Sequence, residues 1–260
     1  MTDDSRPAPP RDRTAAVIPA AGRGVRLGPG APKALRTLNG MPMFIHAARA
    51  LAASRSVTLV VVVAPPDGAP EVKSLLDTYA LPANAPGEGW GSADFLVVPG
   101  GDNRQESVRR GLEALPQDID IVLVHDAARP LVPVETVDAV IGAVRAGAPA
   151  VVPALPLADT VKEIAPAAPG DPEPVVATPE RARLRAVQTP QGFDRATLLR
   201  AHENAPVDGE GATDDAGLVE RLGEPVVLVP GHEEAFKVTR PLDLVLAEAV
   251  LARRRVNDGY

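Results

Sequence analysis

The chain contains no cysteine, which excludes disulfide bridges, thiolate zinc sites and cysteine nucleophiles. Aromatic residues make up only 3% of its 260 positions, so the core must be built from Ala, Val and Leu. The four histidines, His46, His125, His202 and His232, show no metal-ligand spacing. No apolar stretch approaches the roughly 20 residues that span a bilayer. Residues 1–13 lack a signal-peptide core and read as a disordered tail. A net charge of −7 argues against general nucleic-acid binding, so any anion site needs a local cluster of cations. These absences predict a cytoplasmic protein with neither a membrane nor a nucleic acid as partner.

What is present is a 45% hydrophobic composition arranged in short β-branched runs. Thr14–Ile18, Val57–Val63, Phe95–Val98, Ile119–Val124 and Pro149–Ala154 are continuous apolar stretches, as in strands buried on both faces. Helical patterns separate them at Met43–Ala53, Glu71–Tyr79, Gln105–Leu115 and Glu135–Arg145. The alternation predicts an α/β fold, Rossmann-like and doubly wound around a mostly parallel sheet, as one domain over 14–260. It also places the ligand crevice along the strand C-termini. After Ala154 the rhythm breaks. Ile164–Glu180 is too rich in Pro and Ala for a helix and too interrupted for a core strand. Its neighbours DTVKEI and RLRAVQ form either a projecting ribbon at about 156–183 or a surface loop. Helices near Arg195–His202 and Thr213–Leu222, a strand at Val226–Val229 and a last helix at Leu242–Arg254 complete the pattern. A glycine-rich loop, Asn84–Ala93, holds the one tryptophan, Trp90, and carries no assignable chemistry.

The first strand runs into VIPAAGRGVRLGPGAPKAL, Val17–Leu35, where glycines and three cations share a loop. Such a turn lets backbone N–H groups approach a phosphate closely. A Walker loop needs GxxxxGK[ST], which is absent. A dinucleotide fingerprint needs GxGxxG and an acid about 20 residues on. Here Gly28 comes one position late and no acid occurs before Asp67. The remaining pattern is the nucleotidyltransferase signature AAGxGxR followed by Pro-Lys, supplied by Ala20, Ala21, Gly22, Gly24, Arg26, Pro32 and Lys33. A guanidinium and an ammonium suit a triphosphate.

Three further stretches carry candidate chemistry. In GGDNRQESV (Gly100–Val108), Asp102 or Asn103 is a natural helix N-cap, and the paired glycines suggest backbone that approaches a base or ribose. VLVHDAARP (Val122–Pro130) ends an apolar strand on Asp126, a hard-cation ligand by position, with Arg129 nearby and His125 as a core residue. In FKVTRPLDLVLAE, Lys237 sits between apolar neighbours on a strand and needs an anionic partner if it points inward. Thr213 and Thr239 are plausible N-caps.

The ordered set PAAGxGxR…PK, HDAARP, DTVK, QTPQ, TDDA and KVTRPxDL resembles the 2-C-methyl-D-erythritol 4-phosphate cytidylyltransferase family over about Ala15–Glu248. The resemblance implies that Ala20, Ala21, Gly22 and Gly24 hold the triphosphate of CTP and that Arg26 and Lys33 act on its reacting phosphates. Gly101, Asp102 and Ser107 would recognise cytidine and Asp126 would bind Mg²⁺. Arg129, Thr160, Arg181 and Lys237 would surround the polyol phosphate, with Arg183 the alternative to Arg181. In the family an aromatic often stands where this chain has Arg185, and the Thr160–Arg181 interval is long here. The resemblance also implies a homodimer, each ribbon clasping the neighbouring subunit and delivering Thr160 and Arg181 to its site.

The implied reaction joins a phosphate monoester to the α-phosphate of CTP with loss of pyrophosphate. The monoester's second pKa, near 6, leaves it mostly dianionic at neutral pH, so no general base is required. Rival readings are a cytidylyltransferase for another polyol phosphate, such as ribitol 5-phosphate, and a non-catalytic nucleotide-binding module.

Overall fold

The structure, a computed structural model, describes residues 13–22, 33–79, 93–205 and 214–257. Gly24, Arg26, the Trp90 loop, Thr213, the side chain of Lys33 and residues 1–12 of the expected tail lie outside them. Arg13 already belongs to the folded part, since its carbonyl accepts from Asp120 N at 3.0 Å.

In chain order come β1 (Thr14–Pro19), a hairpin of β2 (Thr37–Leu38) and β3 (Met41–Pro42), α1 (Met43–Ala52), β4 (Val57–Ala64) and α2 (Ala69–Tyr79). Asn39 and Gly40, both at positive φ, make the tight hairpin turn that Asn-Gly favours. Next are β5 (Asp94–Pro99), α3 (Arg104–Glu113), β6 (Ile121–Val124), α4 (Val134–Arg145) and β7 (Ala150–Pro156). A separate two-stranded ribbon of β8 (Glu163–Ile164) and β9 (Val175–Ala177) follows. The chain then forms β10 (Arg185–Val187), β11 (Gln191–Asp194), α5 (Arg195–Glu203), α6 (Asp215–Arg221), β12 (Val226–Pro230) and α7 (Pro241–Asn257).

In the main sheet β1 lies between β4 and β6, parallel to both, and β5 continues in parallel beyond β4. β11 enters antiparallel between β6 and β7, and β10 pairs antiparallel with the far half of β7. β12 runs parallel along the other edge of β7. The mostly parallel, doubly wound sheet is therefore present. Side chains alternate between two cores with the strand period of two. Ala16, Ile18, Val60, Val62 and Leu123 pack with α1, α2 and α4. Ala15, Val17, Val61, Val63 and Val124 pack with α3, α5 and α6 on the opposite face. Gly111 of α3 sits so close to β1 that a Cβ there would lie 2.5 Å from Val17 Cγ1.

Three expectations change. β5 is not buried on both faces: it is the edge strand, with Leu96 38% exposed. RLRAVQ does not pair with DTVKEI, because its strand β10 joins β7 in the main sheet while β8 takes β9 as partner. The Pro/Ala-rich segment thus contributes a ribbon strand of its own, Val175–Ala177. Lys237 lies outside any strand, between a short 3₁₀ turn (Glu233–Ala235) and α7.

The chain winds outward from β1 through β4 to β5, then returns to the other side of β1 with β6. This is a topological switch point, and its crevice lies beyond the C-termini of β1 and β6. No helix among the described residues is long and apolar enough to cross a membrane.

Candidate active site

The crevice is a cleft of about 450 Å³ lined by Pro19, Ala21, Gly22, Pro66, Gly101, Asp102, Asn103, Arg104, Ser107 and Asp126. Three strand ends build it, each extended by one parallel hydrogen bond. Ala20 N donates to Val63 O at 2.8 Å, Gly100 N to Ala64 O at 2.7 Å and His125 N to Val17 O at 2.9 Å. Of the residues expected at CTP, Ala21, Gly22, Gly101, Asp102 and Ser107 meet here, with Ala20 buried immediately behind.

Asn103, rather than Asp102, caps α3: its Oδ1 accepts from Glu106 N at 2.8 Å while Glu106 Oε2 accepts from Asp102 N at 2.9 Å. This reciprocal box satisfies two donors that a helix N-terminus otherwise leaves open. Ser107 donates to Asn103 O at 2.8 Å and accepts from Gly101 N at 3.2 Å. The glycine pair has an internal reason. A Cβ on Gly100 would lie 2.8 Å from Ala64 O and 2.9 Å from Ser107 Oγ, so Gly100 answers to the protein's own packing.

Asp126 is held by a closed chain of hydrogen bonds. Its N–H donates to Thr189 Oγ1 at 3.0 Å, and Thr189 Oγ1 lies 3.0 Å from His125 Nδ1. His125 Nε2 is 3.0 Å from Arg129 O, which in turn belongs to a turn closed by Arg129 N donating to Asp126 O at 2.9 Å. Burial pushes the His125 pKa down to about 4, so the ring is neutral. A carbonyl only accepts, so Nε2 carries the proton and Nδ1 accepts from the threonine hydroxyl. His125 is the core residue expected.

Three cations surround the Asp126 carboxylate. Lys237 Nζ lies 2.7 Å from Oδ2, Arg129 Nε 3.8 Å from Oδ2 and Arg104 Nε 3.9 Å from Oδ1. Burial raises the carboxyl's pKa, but Lys237 and Arg104, with Arg129 behind them, outweigh it and bring it down to about 2. Arg129 is only 12% exposed; it donates to Ala235 O at 2.7 Å and Val187 O at 3.3 Å. Its guanidinium joins the Asp126 turn to the Lys237 segment and to β10, where the ribbon returns. Lys237 also lines a second cleft of about 520 Å³ with Phe236, Thr239, Arg240, Asp243 and Leu246. Thr239 is not a simple cap: its N–H and hydroxyl both donate to Asp243 Oδ2, at 2.7 and 2.9 Å.

Thr160 and Arg181 stay away from both clefts, exposed on the ribbon. Arg181 donates to Ala158 O and so sits across the ribbon beside Thr160, whereas Arg183 is exposed in the same 3₁₀ turn.

The profile of the family described as IspD, 2-C-methyl-D-erythritol 4-phosphate cytidylyltransferase, matches residues 14–253. The chain belongs to this family. The 2-C-methyl-D-erythritol 4-phosphate cytidylyltransferase of Streptomyces avermitilis is 76% identical over 261 residues, covering 100% of both chains. The crystal structure of the Thermus thermophilus enzyme of that name matches with a TM-score of 0.66 at 38% identity, over 90% of this chain and 97% of that one. The 4-diphosphocytidyl-2C-methyl-D-erythritol synthase of Anaerococcus prevotii matches with a TM-score of 0.75 at 27% identity, over 93% and 99%.

For a nucleotidyltransferase of this family the donor set in the cleft bears on a divalent cation. Among the described residues no cluster of three or more metal-ligating side chains exists. A buried, ionised carboxylate in a cleft that suits phosphate nonetheless fits Mg²⁺, which is bound through one or two carboxylates plus substrate phosphates and water. Asp126 is that carboxylate.

Several residues of the site were not assigned from sequence. Arg104 has no assigned role within GGDNRQESV, QTPQ has none, and TDDA offers only Thr213 as a candidate cap. In the fold Gln188 clamps the His232 backbone, donating to its O at 2.9 Å and accepting from its N at 3.0 Å. Gln191 donates to Asp214 Oδ2 at 2.7 Å and accepts from Ala216 N at 3.1 Å. Asp214, not Thr213, caps α6 through Gly217 N. The available signal was the polar character of these motifs beside apolar strands; their partners lie too far along the chain to be read from spacing.

Proposed function

We propose that this protein transfers the cytidylyl group of CTP to 2-C-methyl-D-erythritol 4-phosphate, forming 4-diphosphocytidyl-2-C-methyl-D-erythritol and pyrophosphate for isoprenoid precursor synthesis. The observation that carries the reading is the meeting of Asp126, Lys237, Arg104 and Arg129 beside the glycine-lined ends of β1 and β5. The reaction needs two anions brought together, and cations ringed around one carboxylate at a switch point supply such a place.

The backbone of Ala20, Ala21, Gly22 and Gly24 cradles the triphosphate. Gly101, Asp102 and Ser107 take the cytidine; the Ser107 proton is engaged by Asn103 O, so this hydroxyl can only accept further. Arg26 and Lys33 stabilise charge on the α-phosphate as it becomes five-coordinate, the largest catalytic term available here. Lys237, with its side chain 40% exposed between the two clefts, is free to turn from Asp126 toward the acceptor's phosphate and align it for in-line attack. Arg129 orients this lysine's segment. The acceptor phosphate is dianionic at neutral pH and attacks without a general base. Asp126 would hold Mg²⁺, which when bound neutralises triphosphate charge and makes the α-phosphorus more electrophilic.

Thr160 and Arg181 complete the acceptor site from the partner subunit of a homodimer. A two-stranded ribbon is marginal alone in water, and a two-fold exchange of ribbons supplies its missing contacts. The reaction takes place in the cytoplasm. Pyrophosphate release from each of the four nucleoside triphosphates, with 2-C-methyl-D-erythritol 4-phosphate or ribitol 5-phosphate as acceptor and with Mg²⁺, tests the reading. Release with CTP and the methylerythritol phosphate is expected. Preference for ribitol 5-phosphate, or CTP binding with no transfer, overturns it.

A further inference from the structure

Lys237, the cation nearest Asp126 among the described residues, is carried by a segment lashed to the rest of the fold at four points. Gln188 grips the His232 backbone, Arg129 donates to Ala235 O, and Val238 N donates to Ala128 O at 2.8 Å. The fourth tie is Glu234, whose carboxylate meets the guanidiniums of Arg253 and Arg254 near the end of α7. Arg254 Nε donates to Glu234 Oε2 at 2.9 Å. One of its Nη atoms donates to the same oxygen and also, at 2.7 Å, to Leu131 O. Phe236 and Val238 pack in one apolar cluster with Leu131 and Ala247.

Arg254 lines neither cleft, and an ion pair whose arginine side chain is 35% exposed adds little to stability. Its consequence is geometric. Leu131 lies five residues beyond Asp126, and Glu234 precedes Lys237 by three. One planar guanidinium, its donors held in a fixed fork, therefore joins the carrier of the carboxylate to the carrier of the lysine. Arg129 makes a second join between the same carriers, facing Asp126 at 3.8 Å and donating to Ala235 O at 2.7 Å. Joined twice, they keep Lys237 Nζ 2.7 Å from Asp126 and leave the lysine side chain, 40% exposed, as the part that can turn.

We propose that Arg254 is a positioning residue: by bridging Leu131 and Glu234 it fixes where Lys237 stands relative to Asp126, and so where the acceptor's phosphate is held. The inference rests on the reading of Lys237 as the ligand of that phosphate. Steady-state kinetics of Arg254→Gln, Lys237→Ala and the double variant test it, with melting temperatures as a control for folding. Arg254→Gln is expected to raise KM for the methylerythritol phosphate about tenfold, as one charge-assisted contact loosens, while KM for CTP stays within about twofold. The double variant should match Lys237→Ala alone, because a residue acting through another adds nothing once that other is gone. A folded Arg254→Gln protein with wild-type KM for the acceptor overturns the inference. So do equal rises in both KM values, and a double variant whose losses multiply. Should Arg254→Gln not fold, Glu234→Gln carries the test: it removes the charge that Arg254 grips and leaves the Leu131 bond in place, so a wild-type acceptor KM overturns the inference. Lys237→Ala with an unaffected acceptor KM removes the reading beneath the inference, a result distinct from an impaired Lys237→Ala beside an unaffected Arg254→Gln.

Discussion

The floor of the cleft and the ribbon are built on opposite plans. At the floor the groups around Asp126 are tied to distant segments: Thr189 from β11's approach, Lys237 and Ala235 from the run into α7, Val17 from β1. In the ribbon no residue from Pro156 to Val187 is buried. Its bonds are local, such as Lys162 to Thr178 and Arg181 to Ala158, and Val175 and Val176 stand 56% and 57% exposed. The floor is complete within one chain because the switch point gathers distant segments there. The ribbon's apolar side chains have nothing among the described residues to cover them, and the proposed homodimer would cover them with a second copy.

The sharpest way to break this contrast is to damage each region and mix the products. Lys33→Ala and Arg181→Ala should each lower kcat on the order of 100- to 1,000-fold. In a mixed dimer one site carries both lesions and the other neither. Random exchange makes half the dimers mixed, so roughly a quarter of wild-type activity should return. Demonstrated exchange without recovery would rule out sites shared between subunits.

Asp126→Asn comes next. It leaves three cations facing a neutral amide, and activity at low Mg²⁺ should fall on the order of 100-fold. Raising Mg²⁺ should restore part of it by mass action. Wild-type rates at low Mg²⁺ would remove Asp126 from the role of ligand.

The floor should also register in the pH dependence of stability. His125 is held neutral with a pKa of about 4 against an ordinary 6.5, so between these values the unfolded chain binds a proton that the folded one does not. Stability therefore falls as pH drops from 6.5 to 4, by roughly 3 kcal/mol at most from this residue. Asp126 acts in the same direction over a lower range: its folded pKa is depressed to about 2 from 3.8, so its contribution is intact above about pH 4 and is lost between 4 and 2. Urea denaturation from pH 7 to 4 should show a shallower decline in His125→Asn; an unchanged slope would clear His125 of the effect.

The smallest expected effect compares two threonines. Thr189→Val cuts the hydrogen-bond chain at Asp126 N and His125 Nδ1 and should cost about 1–3 kcal/mol by urea denaturation. Thr160→Val on the ribbon should change stability by less than about 0.5 kcal/mol while lowering activity. Equal effects on stability would erase the distinction between the regions.

Much of this molecule was legible in its residues. The apolar runs and helical spacings between them place β1, β4, β6, α1, α3 and α4 within a residue or two, since a strand buried on both faces has to be apolar throughout. The glycine loop and the acid ending β6 marked the crevice for the same reason: parallel α/β topology sends the loops after β1 and β6 to one edge. Pairings across long separations were beyond reach. Nothing in RLRAVQ says that it joins β7 while DTVKEI takes Val175–Ala177, because short strands of similar composition are told apart only by what already flanks them. Nor could Lys237 be matched to Asp126, Arg254 to Glu234, or Thr189 to His125. Composition and period determined the elements, the layers and the edge where chemistry could occur. Which cation meets which carboxylate was decided by the tertiary structure, because charge pairing acts through a few ångströms of space and leaves no periodic trace along the chain.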